Sequence, residues 1–544
     1  MNCKNSKDIM NNTKSNFSYQ YLKKLQNSVS KKYKITFVSA ILCGLMAHIY
    51  QFTNKLFNYD ELHAIPAALG EGFGYGRWMQ EFIYRFIKHF WGNYSLPVIN
   101  GLVTLTIFSI SACFIIYILD INNEVFAFII GGVCTTFPTV TCSYFYMYMS
   151  YYFALSMLLS VLSVVVAIKY KKNTGIIMAS CLLACSIGIY QSYFSVAVSL
   201  TVLYLVVFSF TNNAERIYDI KKYIKLAVRF LIYLVSGLLL YIAVNKVILF
   251  ITKEKMVEYQ GISDMGKLNI IYIIKQFANS YFYYFRMFYA DMYQTNPTSI
   301  IKVGILLLNV FAFILMMVVI IKKREHCYNI FSLLCLLLTP ISIFILFAMT
   351  NENTYHYTLM MYSLVFVIIL PMTIIEKSGV TILDSNINST KLVRVIDYLS
   401  CIVGTLIIMN YIWFANGNYQ ALQYTNYHDL KYYSVMVTQI KSMDGYRDDI
   451  PIAIIGDEIT DMSNTAGSLM GNTFNIGGKS ESNINAWSYY EIIRRYLGFS
   501  QEFLWDDETK ELLQNDIRVK SMPCYPQDGS IQFIDNTIVV KISE

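Results

Sequence analysis

Two adjacent carboxylates, Asp60 and Glu61, open the stretch NYDELHAIPAALGEGFGYGRW (Asn58 to Trp78), which begins a few residues after the first long hydrophobic run and closes on Arg77 and Trp78. A carboxylate at a lipid–water boundary is partly dehydrated, which raises its affinity for a proton. Such a group takes a proton from a hydroxyl near neutral pH, which is the task of a general base. One acid of the pair would act as the base and the other would orient a hydroxyl or a metal, and the order alone does not say which. Glycines at 70, 72, 74 and 76 let the backbone turn and approach a ligand closely. Their spacing, with no strand before them, excludes a dinucleotide fingerprint. Arg77 brings a planar guanidinium suited to two parallel hydrogen bonds with a phosphate.

Other polar residues near the ends of hydrophobic runs join these. GIYQSYFS places Tyr190, Gln191 and Tyr193 at the junction of two runs; Arg286 lies in an aromatic stretch, and His356 in NENTYHY. Polar groups at membrane depth are expensive, so each is a candidate binding residue, together with Trp78. The carboxylate pair could hold Mg²⁺ or Mn²⁺. No third ligand, CxxC pair or HExxH motif accompanies it, so no metal site is assigned.

The elements that must position these residues are membrane helices. Of 544 residues, 55% are hydrophobic and only 15% charged, and the mean hydropathy is +0.43. Soluble chains carry about a quarter charged residues. Runs of roughly 17 to 25 apolar residues cross a bilayer. Eleven are expected, at 35–52, 96–119, 125–141, 150–168, 175–190, 192–210, 230–250, 301–321, 328–349, 357–375 and 395–414. The fold class is therefore an all-α polytopic membrane protein with a small C-terminal α/β domain.

Lysine and arginine set the orientation, because basic loops near span ends stay in the cytoplasm. The tail, residues 1–34, holds eight lysines and one acid, and four later basic segments fall on the same side under this count. The loops 53–94 and 251–300 and the domain 415–544 then lie outside, with the multi-span body at 35–414. The outer domain has ten Lys and Arg against eighteen Asp and Glu. Two amphipathic aromatic helices are expected along the surface, at 78–91 and 270–293. In the outer domain, DIPIAIIGDEI reads as a buried strand, IQFIDNTIVVKI as two strands about Asp535-Asn536, and NAWSYYEIIRRYLGFS as a helix stopping at Gly498.

The acidic pair after the first span, the GYGRW close, the YQSYFS junction and the eleven-span body with its outer domain resemble the bacterial membrane glucosyltransferase family typified by phage serotype-converting enzymes. The resemblance covers about residues 37–414. It implies a GT-C-type hexosyltransferase in the bacterial cell membrane, drawing on a polyprenyl-phosphate sugar donor outside the cell. The acceptor would be a cell-surface glycan and the configuration inverted; no nucleic acid is involved. By the resemblance, Asp60 or Glu61 is the base and Arg77 contacts the donor phosphate. A lipid-linked sugar flippase and a polysaccharide polymerase or ligase are the alternatives.

Overall fold

The computed structural model describes residues 29–543, apart from 64–71, 91, 93, 212–219, 258–269, 323–326, 351–353, 355, 385–389, 457–464, 472, 477–488 and 505. The expectations for the tail up to residue 28, Gly70, Trp91, Asp457 and the start of the helix expected from Asn485 lie outside these residues.

Helices dominate: α1 (Lys31–Thr53), α2 (Trp78–Phe90), α3 (Pro97–Ile118), α4 (Glu124–Thr136), α5 (Pro138–Phe145), α6 (Ser150–Lys169), α7 (Asn173–Ile189), α8 (Phe194–Thr211), α9 (Ile220–Thr252), α10 (Ile270–Arg286), α11 (Ser299–Lys322), α12 (Cys327–Ile343), α13 (Phe366–Asp384) and α14 (Thr390–Lys441). Among the described residues nine helical segments are long and apolar enough to cross a bilayer, not eleven. Shorter apolar helices stand at the other two expected positions. With 17 residues, α7 extends roughly 26 Å, at the lower end of the lengths that cross a bilayer. The other, α12, carries Pro340 and ends at Ile343 before a separate turn of helix, Ile345–Met349.

Small residues let the first helices approach closely. Gly131 of α4 faces α1 so tightly that a Cβ there would sit 2.5 Å from the Thr36 carbonyl oxygen. Hydroxyls cross the same interface: Thr36 donates to the Ala127 carbonyl at 3.2 Å, Ser39 to Phe128 at 2.5 Å, and Thr135 to Ala40 at 2.9 Å. Without a hydrophobic gain between helices in lipid, packing and hydrogen bonds of this kind hold them together. Fully buried His48 adds α14, its Nδ1 lying 2.8 Å from the Tyr419 hydroxyl and its Nε2 2.8 Å from the Thr135 carbonyl. The break between α4 and α5 follows from Pro138, which holds Phe137 in an extended conformation and starts the next helix.

Basic residues gather at one end of the bundle. Lys31 pairs with Glu124 at 2.7 Å, Lys377 with Asp120 at 2.9 Å, and Arg229 donates to the carbonyls of Tyr170 and Lys171. Buried Glu376 accepts from the amides of Asn122 and Asn123 at 2.7 and 3.3 Å. The segments after α1, around residues 146 and 190, and after α9 lie at the opposite end.

Beyond that end stands a small three-stranded sheet. Its strands β1 (Ile452–Ile455), β2 (Ile531–Ile534) and β3 (Thr537–Lys541) run in the order β1-β3-β2, with β1 parallel and β2 antiparallel to β3. Asp535 and Asn536 take the left-handed backbone a two-residue hairpin demands. Gly498, also left-handed, follows the helical stretch 489–496. No break occurs near residue 415, where the sequence suggests a boundary: α14 continues for 52 residues, about 78 Å. Its outer part stays helical because Tyr433, Met436 and Ile440 recur at helical spacing and pack on Ile452, Ile454 and Val540 of the sheet.

Gly131→Ala should force α1 and α4 apart and destabilise the protein by about 1–3 kcal/mol, read as a lower melting temperature in detergent.

Candidate functional site

The acidic segment is clamped from above. Asn426 of α14 accepts from the Phe57 amide at 3.0 Å and donates to the Phe57 carbonyl at 2.8 Å. The Phe57 ring lies 5.0 Å from that of Tyr496, and Leu62 is buried in the same core as the sheet. Asn58 then caps the short helix Tyr59–His63, its Oδ1 accepting from the Glu61 amide at 2.8 Å.

This geometry separates the two acids. Glu61 is only 1% exposed; Ser95 donates to one carboxylate oxygen, the Tyr148 amide to the other at 3.2 Å, and Lys55 approaches to 3.8 Å. Burial pushes its carboxyl above the ordinary value, opposed by Ser95, Lys55 and the amides of Tyr148 and Met147. Asp60 is half-buried on another side of the turn. Burial raises the neighbouring Tyr146 hydroxyl well above its usual value, and Tyr59, Cys142 and Asp60 push it further, which places Asp60 within electrostatic reach of that ring. With both Glu61 oxygens engaged, the pair does not present two free carboxylates to one ion. Among the described residues no three His, Cys, Asp or Glu side chains group as metal ligands.

The glycine loop is held by its backbone. The Gly72 amide donates to Glu81 at 3.2 Å and the Gly74 amide to Glu254 at 3.0 Å. Gln191 donates to the Tyr75 carbonyl at 2.9 Å, and Tyr241 to the Gly76 carbonyl at 3.2 Å. Gly76 needs to be glycine twice over: its φ is +70°, and a Cβ would lie 2.7 Å from the Tyr241 hydroxyl. So fixed, the loop delivers Arg77 over the ring of Tyr190 at 5.1 Å and near Tyr75 at 5.9 Å. Trp78 turns inward, where a Cβ on Gly188 would be 2.6 Å from its ring.

The helix α2 divides its polar residues between two faces. Phe82, Phe86 and Phe90 point outward with Arg85, Lys88 and His89, whereas Gln80 and Glu81 are buried. Glu81 turns in because the Gly72 amide and Arg85, at 2.8 Å, both need its carboxylate.

Aromatic rings connect the acid with the guanidinium. Tyr146, beside Asp60, lies 6.5 Å from Phe153; Phe153 lies 4.9 Å from Tyr190, on which Arg77 sits. Tyr193 continues the wall 6.0 Å from Tyr190. Asp60, Glu61, Arg77, Trp78, Tyr190, Gln191 and Tyr193 thus belong to one region, Gln191 as a brace for the glycine loop.

Arg286 and His356 belong to a second neighbourhood. His356 stands edge-on to Phe347 at 4.2 Å and contacts Thr350 at 3.0 Å. Burial lowers its pKa to about 4, so its imidazole is neutral. Arg286 is exposed on the last turn of α10, whose Tyr283 packs on Phe347. Sequence reasoning missed Tyr146, Gln80, Asn245, Tyr241, Ser95 and Asn426. Gln80 and Asn245 alone gave a signal, as polar residues on helix faces that turn out to be buried.

A family model described as glucosyl transferase GtrII matches residues 49–368, more than half of the chain, and every site residue above from Asp60 to His356 lies within it. No curated protein matches the chain, and no solved structure does.

The raised carboxyl of Glu61 sets a pH dependence of stability. Relative to Glu61→Gln, the stabilisation from this group is fully present below the ordinary carboxylate value and is lost as pH rises through the raised one. Melting curves of both proteins in detergent, from mildly acidic to neutral pH, should show the wild type losing ground to the variant.

Proposed function

Because the chain belongs to the glucosyl transferase GtrII family, we propose that it moves a glucosyl group from a polyprenyl-phosphate carrier to a hydroxyl of a cell-surface glycan, inverting the anomeric configuration. The reaction takes place at the extracytoplasmic face of a bacterial cell membrane, in the manner of a GT-C-type transferase. One observation carries this reading: Arg77 sits on one end of an aromatic run, Tyr190–Phe153–Tyr146, and Asp60 is within electrostatic reach of the other, at the end of the bundle opposite the basic one.

Basic ends stay in the cytoplasm, so the wall opens outward, where a polyprenyl-linked sugar keeps its phosphate among the lipid headgroups. The outward phenylalanines of α2 and the aromatic face of α10 give the isoprenoid tail an apolar path. Asp60 removes the proton from the acceptor hydroxyl. That oxygen bonds to the anomeric carbon from the face opposite the phosphate, and the carbon–oxygen bond to the phosphate breaks. The departing polyprenyl phosphate takes the electron pair, and Arg77 faces its growing charge. Glu61 holds the turn by gripping Ser95 and the Tyr148 amide; it is a positioning residue.

Transfer of labelled glucose from polyprenyl-phosphate glucose to a cell-envelope glycan, in reconstituted membranes, is the test. Asp60→Asn should lower kcat by about 10²–10⁴-fold with little change in donor KM. Arg77→Ala should lower kcat and raise donor KM together, and Glu61→Gln should cost less than Asp60→Asn. Full activity in Asp60→Asn would sink the assignment.

A further inference from the structure

Buried polar atoms that find no hydrogen-bond partner cost about 1–3 kcal/mol each, so a native chain seldom collects them without reason. Here several occur around the glycine–arginine turn. Among the described residues, neither the oxygen nor the nitrogen of the Gln80 side-chain amide finds a partner, and Gln80 is 1% exposed. Nε1 of Trp78, Oδ1 of Asn245 and the hydroxyl of Tyr193 are likewise buried and find no partner among the described residues. Gln80 lies one helical turn beyond Arg77, and Trp78 is on the same turn. Asn245 stands beside Gly76, its Nδ2 lying 3.8 Å from where a Cβ would be. Tyr193 is next to Tyr190, which carries Arg77.

Nearby polar groups show what a purely structural solution looks like. Glu81, the next residue after Gln80, is satisfied by the Gly72 amide and Arg85. Gln191 spends its amide on the Tyr75 carbonyl and the Tyr241 hydroxyl. Gln80 has an equally buried amide and holds nothing among the described residues.

The unmet atoms of these four residues are neutral and of both kinds: donors at Trp78 Nε1 and the Gln80 nitrogen, acceptors at the Gln80 and Asn245 oxygens, and a hydroxyl able to do either. A phosphate offers acceptors only, and an isoprenoid chain offers neither. A hexose ring offers several hydroxyls that donate and accept. We propose that Gln80 is a specificity-determining residue whose amide reads a ring hydroxyl of the donor sugar, while Arg77 holds the phosphate. The inference rests on the glucosyl-transfer reading above. A hydroxyl held by a buried amide is discriminated strongly, because an epimer that moves it leaves the amide unpaired again.

The experiment compares polyprenyl-phosphate glucose, polyprenyl-phosphate galactose and bare polyprenyl phosphate, in reconstituted membranes of wild type and of Gln80→Met, which keeps the length of the side chain and removes the amide. Failure of the wild type to transfer sugar from either donor would defeat the functional reading itself. With an active wild type, Gln80→Met should raise the KM for the glucosyl donor and shrink the glucose-to-galactose ratio of kcat/KM by about tenfold or more. Inhibition by bare polyprenyl phosphate should not change. An unaltered ratio would overturn the inference, leaving an amide that water alone satisfies. Weakened inhibition by the bare carrier would overturn it too, since Gln80 would then be supporting the turn. Should Gln80→Met not reach the membrane, Gln80→Glu replaces it: nearly isosteric and without the amide N–H donors, it supports the inference by a shrunken ratio and overturns it by an unchanged one.

Discussion

The turn that carries Asp60 is fixed by the side-chain amide of Asn426, and a carboxylate proposed as a base at a membrane surface needs such an anchor. That amide makes two hydrogen bonds to one peptide unit's worth of backbone, the N–H and C=O of Phe57, three residues before Asp60. The amide sits on α14, which belongs to the membrane bundle at one end and to the sheet at the other. Bundle, acidic turn and sheet are therefore referred to the same rod. Without that clamp, the position of Asp60 relative to the bundle would no longer be fixed.

The second fixed point is the glycine loop. Four carbonyl or amide groups within five residues are met by Glu81, Glu254, Gln191 and Tyr241, which come from three separate parts of the chain. A loop so held has little freedom left, and Arg77 inherits its rigidity. The distance between acid and guanidinium is then set by packed rings, which resist compression in the way any close-packed interior does.

Much of this was legible in the sequence where the signal is local. Hydrophobic runs report helices, so all eleven apolar segments were located; nine are long helices, and α7 and α12 are shorter ones. The Asp535-Asn536 turn announced its hairpin through residue types that tolerate left-handed backbone. The continuity of α14 past residue 415 was hidden because its outer half is polar on average and gains its helical stability from the sheet it packs on.

The site was legible in part for the same reason. Asp60 and Glu61 are neighbours with similar chemistry, and nothing in their own stretch tells them apart. The distinction comes from Ser95 and Tyr148, 34 and 87 residues further along. A sequence read in short windows has no access to such pairs, nor to Asn426, 369 residues from the backbone it clamps.

One consequence concerns how such a chain can change its length. Because α14 is continuous from the bundle to the sheet, a residue inserted between them rotates everything beyond it by about 100° around the helix axis and lifts it by about 1.5 Å. Steps of about seven residues (two turns) or eleven (three turns) bring the far side nearly back into phase. Evolution therefore has a ratchet here instead of a slider, and drift in this segment should come in whole teeth.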